Sequence, residues 1–120
     1  MIHDIPMSKK ELHAAHTAFY TQQMRLQNRS VEATMISILL NRIIDRVADT
    51  IVDNEGNGVY PVPMASEELI AARDAFSVRI ERLKSYIEGM HPEVAELPDM
   101  RTELTVMTTL HDRISGRFDS

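Results

Sequence analysis

The stretch MSKKELHAAHTAFYTQQMRLQNRSVEATMISILLNRIIDRVADTIVDNE, residues 7–55, contains neither proline nor glycine, and its reading decides the fold class. Proline and glycine are the residues least compatible with a helix interior, so their absence beside Leu, Ile, Met and Ala predicts helix throughout. Ser8-Lys9-Lys10-Glu11 has the S-x-x-E form of a capping box, which places the helix start there. Leu12, Ala15, Phe19 and Leu26 recur at helical intervals, and Ala33, Ile36, Leu40, Ile43, Val47 and Ile51 continue more densely.

Gln27-Asn28-Arg29-Ser30 interrupts this pattern. Either Asn28 ends one helix and Ser30 caps the next, or a single helix of over 40 residues runs on for about 65 Å at 1.5 Å per residue. With no Gly or Pro at the break, continuity is the expectation. The strongest punctuation is Asn54-Glu55-Gly56-Asn57-Gly58 with Pro61 and Pro63, read as an interhelical loop over 54–65. Ser66 is expected to cap a helix striped by Leu69, Ala72, Phe76, Ile80, Leu83, Ile87 and Met90. His91-Pro92 stops it, 91–98 is a connector, and Asp99 is expected to cap a last helix over 100–117 carrying Leu104, Met107, His111, Ile114 and Phe118. Residues 1–7 read as a loose arm, and no internal repeat is evident. The whole predicts one all-α domain over 1–120: a three- or four-helix bundle or extended hairpin with a long first helix.

Plotted at 100° per residue, the long segment carries two apolar groups. Leu12, Ala15, Phe19, Leu26 and Ala33 form one. Tyr20, Met24, Val31, Met35 and Ile38 form the other, stepping four, seven, four and three in the rhythm of a coiled-coil seam. Either the later helices cover both groups, or they cover one while a second copy covers the other. The second is expected, most simply through a two-fold contact, because five exposed aliphatic or aromatic side chains are a solubility cost.

The net charge of −5 and pI near 5.5 argue against binding to duplex nucleic acid, which needs a basic face. The absence of cysteine excludes disulfides, thiolate nucleophiles and cysteine-held metals. No signal peptide or membrane span is expected, so the protein reads as cytoplasmic. Asp53-Asn54-Glu55-Gly56-Asn57-Gly58 imitates the first half of a calcium loop, but Pro61 and Met64 stand at its ninth and twelfth positions, where a bidentate acid is needed at the last. His13 and His16 share a helical face without companion carboxylates, and His111 sits in an apolar stripe. Arg42, Asp45, Arg46 and Asp49 read as a salt-bridged solvent face. Serine nucleophile motifs and closely spaced magnesium-binding glutamates are missing, so no catalytic residue, cofactor or metal is assigned and enzyme activity is not expected.

The reading that remains is a non-catalytic interaction, assembly or regulatory protein, of the kind phages and bacteria encode as small accessory proteins. It would act as a homo-oligomer, a dimer foremost, together with a protein partner that the sequence does not identify. The alternative is a small anion- or nucleotide-binding helical oligomer that uses Arg79, Arg82, Arg101, Arg113 and Arg117, whose planar guanidinium forks suit phosphates.

Overall fold

A computed structural model describes residues 1–26, 29–54, 56 and 58–118. The element order is β1 (Ile2–Ser8), α1 (Lys9–Leu26), α2 (Val31–Asp53), β2 (Val59–Ala65), α3 (Ser66–Gly89) and α4 (Leu97–Ser115). The chain is therefore mainly helical, as expected, with a two-stranded antiparallel sheet that the sequence reading did not foresee.

The capping box forms as read: Ser8 N–H donates to Glu11 Oε1 (2.8 Å) and Glu11 N–H donates to Ser8 Oγ (3.2 Å). The expected continuous first helix does not. Gln27 and Asn28 lie outside the described residues, but Ser30 is fully extended (φ −162°, ψ 172°) and its Oγ accepts from Ala33 N–H at 3.0 Å. A side-chain cap supplies what the missing Gly or Pro would otherwise have signalled. The chain then reverses, and α2 returns antiparallel along α1. Gln23 reaches Asn41, and Lys9 Nζ reaches the Asn54 carbonyl at the far end (2.5 Å).

Two other caps differ from expectation. Ser66 is the first residue of α3 and Ala65 precedes it; Glu68 reaches back to the Ala65 N–H (2.7 Å). The last helix begins at Leu97 with Pro98 in its first turn, a position where the missing proline N–H would be unpaired anyway, so Asp99 lies inside the helix at its positive end. Glu55 and Asn57 of the calcium-loop look-alike are outside the described residues. Gly56 has φ +111°, and a strand follows instead of the second helix an EF-hand needs.

Residues 1–7 are not a loose arm, and half of the 54–65 loop is strand: β1 pairs with β2 from Ile2↔Ala65 to Ser8↔Val59. Pro6, Pro61 and Pro63 do not break this ladder. Pro6 lies opposite Pro61 and Asp4 opposite Pro63, positions two apart, so every missing N–H faces outward from the ribbon. The same outward edges are occupied elsewhere. Ser8 and Ala65 N–H go to Glu11 and Glu68, and the carbonyls of Pro6, Pro63 and Asp4 accept from Arg113, Arg46 and Arg117. These bonds and the prolines interrupt both edges as templates for a further strand.

An internal repeat, not seen in the sequence reading, organises the molecule. Ile5-Pro6-Met7-Ser8-Lys9-Lys10-Glu11-Leu12 recurs as Val62-Pro63-Met64-Ala65-Ser66-Glu67-Glu68-Leu69, and Ile43-Ile44-Asp45-Arg46-Val47 matches Leu110-His111-Asp112-Arg113-Ile114. Each copy is a strand followed by two helices. Burial agrees across the match: Leu12 with Leu69, Ala15 with Ala72, Ala18 with Ala75, Leu40 with Met107, Val47 with Ile114. Equivalent residues meet at a pseudo-two-fold axis. Ile5 is the ladder partner of its own equivalent Val62, and Phe19 stacks on its equivalent Phe76 with ring centroids 5.1 Å apart. These residues form one core cluster under the ribbon.

Candidate interaction surface

Two reciprocal clamps hold the halves together. Arg113, on α4, forks onto both oxygens of Glu11 at the start of α1 (2.9 and 3.0 Å) and also binds the Pro6 carbonyl (2.6 Å). Its equivalent Arg46, on α2, binds Glu68 at the start of α3 (2.5 Å) and the Pro63 carbonyl (3.1 Å). Burial works against the charge on Glu11 and Glu68. It is outweighed by the hydrogen bonds from Arg113 and Ser8 on Glu11, and from Arg46 and Ala65 on Glu68, so both carboxyls are held below their ordinary value. The expected salt-bridged face of Arg42, Asp45, Arg46 and Asp49 is thus revised: Arg46 turns inward to the ribbon.

Gln23 of α1 points at α2, donating to the Ser37 carbonyl (3.4 Å) and Asn41 Oδ1 (3.2 Å). Turning roughly 60–100° from Gln23, away from the core, reaches Tyr20 and Met24; a turn of roughly 100–120° in the same sense from Ser37 reaches Ile38 and Val31, and one of about 160° reaches Met35, on the flank of α2 turned away from α1. Antiparallel helices wind in opposite senses when viewed from one end. Both turns therefore lead to the same outer side of the α1–α2 hairpin. Tyr20, Met24, Val31 and Ile38 are brought onto that side and Met35 onto the adjoining flank of α2, and all five are exposed, from 51% for Ile38 to 79% for Val31. The other apolar group, by contrast, faces inward: Leu12, Ala15, Phe19 and Ala33 are buried and Leu26 packs against the core.

The pseudo-symmetry provides a control. Tyr20 and Met24 correspond to Ser77 and Glu81, while Val31, Met35 and Ile38 correspond to Pro98, Thr102 and Thr105. The same side of the α3–α4 hairpin is therefore polar, with Thr102 and Thr105 hydroxyls turned back onto carbonyls of their own helix (3.0 and 3.1 Å). Two hairpins of one architecture thus present opposite surfaces, so the apolar one is not a requirement of the fold. Met35 stands between two recesses, one of about 410 Å³ lined by Arg29, Ser30, Val31 and Thr34, the other of about 390 Å³ lined by Ile38, Leu39, Arg42 and Glu67.

The five arginines considered for anion binding are divided. Arg79 is forked onto Glu103 (2.5 and 3.0 Å), a bond that raises its pKa, and Arg82 lies beside it against α1. Arg113 and Arg117 reach the ribbon, and Arg101 is exposed in the first turns of α4. They do not converge on one place. His13 and His16 lie on the outer part of α1, and no group of three or more His, Asp or Glu able to hold a metal occurs among the described residues. His111 is half-buried, with Nδ1 3.8 Å from Asp112. Among the described residues no helix is long and apolar enough to cross a membrane.

The five residues of the second apolar group are exposed, and the sequence reading missed Glu11, Glu68, Arg46 and Arg113 as the fastening between halves. The shared Pro-Met-x-x-x-Glu-Leu string was the signal available for it. Comparison with protein-family models, curated proteins and solved structures finds no match to this chain.

Proposed function

We propose that this is a non-catalytic helical interaction protein that assembles through the outer side of the α1–α2 hairpin and, once assembled, engages a macromolecular partner. The observation that carries the reading is the contrast between hairpins. Tyr20, Met24, Val31, Met35 and Ile38 are exposed on one, while the equivalent positions of the other are polar. An apolar patch of this kind on a small chain marks an association site. Full burial of an exposed side chain of this size contributes roughly 1.5–3 kcal/mol, and these five, already partly covered, would each contribute a part of that against the cost of association. The occupied ribbon edges favour helix-to-helix contact over strand addition.

Light scattering across a concentration range tests this. The wild type is expected to exceed its 13.7 kDa chain mass, and Val31→Glu with Ile38→Glu to return it to one chain with its helical circular dichroism retained. A wild type that stays at one chain at every concentration defeats the proposal. The anion-binding alternative is disfavoured by the commitment of Arg79 and Arg113 to carboxylates; a reproducible rise in melting temperature with one nucleotide would revive it.

A further inference from the structure

We infer that the partner on this surface is a second copy of the chain, docked antiparallel, α2 against α2, about a two-fold axis between Met35 and Ile38, and that assembly stops at two copies. The inference rests on the self-association reading above and adds its geometry. The outward positions of α2 are Val31, Met35, Ile38, Arg42, Asp45, Asp49 and Val52, a strict alternation of four and three, and all are exposed. That is the spacing of a coiled-coil seam along the whole helix, apolar in its first part and charged in its second.

The charged part decides the orientation. Parallel pairing would set Arg42 against Arg42, Asp45 against Asp45 and Asp49 against Asp49, three like-charge layers. Antiparallel pairing puts Met35 opposite Ile38 and lays the aliphatic stem of Arg42 over Val31. It carries Asp45 to the start of the other α2, where Arg29 stands and Ser30 caps a helix end of positive potential, and leaves Asp49 beyond that end. Met35 stands between two open depressions of similar volume, which leave its side chain accessible to the other copy. Closure follows from the two-fold contact, which uses the same surface on both copies; the α3–α4 side, with Pro98, Thr102 and Thr105 in place of Val31, Met35 and Ile38, does not repeat that apolar surface.

The chain has no cysteine, so introduced thiols report alone. Val31→Cys combined with Arg42→Cys is expected to oxidise to a species of twice the 13.7 kDa chain mass, whereas Val31→Cys alone stays at one chain. Cross-linking of Val31→Cys alone, or products larger than two chains, overturns the inference. Charge reversal gives a second readout. Arg29→Glu and Asp45→Arg are each expected to weaken the dimer about two- to fivefold, and their combination to restore it; failure to restore also overturns it. A monomeric wild type in light scattering sinks the self-association reading itself. A dimer whose cysteines link otherwise sinks only this geometry.

Discussion

The first half of the molecule, β1–α1–α2, and the second, β2–α3–α4, share a fold plan, a clamp and a core, yet differ in what they show to solvent. Inside, equivalence is close: Phe19 and Phe76 are both fully buried, and the Arg46–Glu68 and Arg113–Glu11 pairs do the same job for opposite strands. Outside, Met35 and Ile38 of α2 have Thr102 and Thr105 of α4 as their counterparts. Residues required by a shared architecture should match between copies, while residues with a duty of their own are free to diverge. The difference between the halves therefore separates the positions that make the fold from those that use it.

The comparison breaks most visibly in the core. Phe19→Ala and Phe76→Ala are each expected to cost about 3–5 kcal/mol in urea unfolding, by lost burial and the cavity left behind. Because the rings stack on each other, the double variant should cost less than the sum. Strongly unequal single costs would show that the halves are not equivalent.

Next come the clamps. Arg46→Ala leaves Glu68, only 2% exposed, without its cation and is expected to cost about 2–3 kcal/mol. Arg113→Ala should cost a similar amount through Glu11, and thermal melting of the two variants compares them directly. Acid tests both at once. Folded Glu11 and Glu68 ionise below their ordinary 4.5, so on acidification the unfolded chain takes up protons first. The stability they contribute is full well above pH 4.5 and is lost as pH falls through the lower folded values. Melting temperature should drop in that window, and less steeply in a Glu11→Gln, Glu68→Gln variant. An equally steep drop in that variant would assign the acid sensitivity elsewhere.

Much of this was legible locally. The Ser8–Glu11 box and the one-sided stripe of α3 are short-range features, and each is found in place; of the two apolar groups of the first segment one is buried and one exposed, but both are divided between α1 and α2 instead of lining one helix. What was hidden depended on distance or on a misleading residue. Pro6, Pro61 and Pro63 argue against strands unless their outward direction is known, and that direction exists only once β1 has met β2. The end of α1 carried no Gly or Pro, so the Ser30 cap was outweighed. Arg46 and Arg113 read as surface charges because their partners are remote in sequence. The repeat escaped because Ile/Val and Ser/Ala exchanges disguise a short match, while the helices beyond it keep only their buried positions.

The smallest effects on stability are expected on the two outer surfaces. Ile38→Glu and its counterpart Thr105→Glu should each change the monomer's unfolding free energy by no more than about 0.5 kcal/mol, since both side chains are exposed. They should differ in association: Ile38→Glu dissociates the assembly and Thr105→Glu leaves it intact, as sedimentation velocity would record. Equal behaviour of the pair would remove the distinction between hairpins.

Hydrogen exchange followed through dilution, from concentrated to dilute protein, tests that distinction most directly. Protection should be lost with dilution in residues 20–26 and 31–42 and stay unchanged in the counterpart residues 77–83 and 98–109. Equal loss in both hairpins, or no change with concentration in either, would contradict the assignment of association to one half of a duplicated fold.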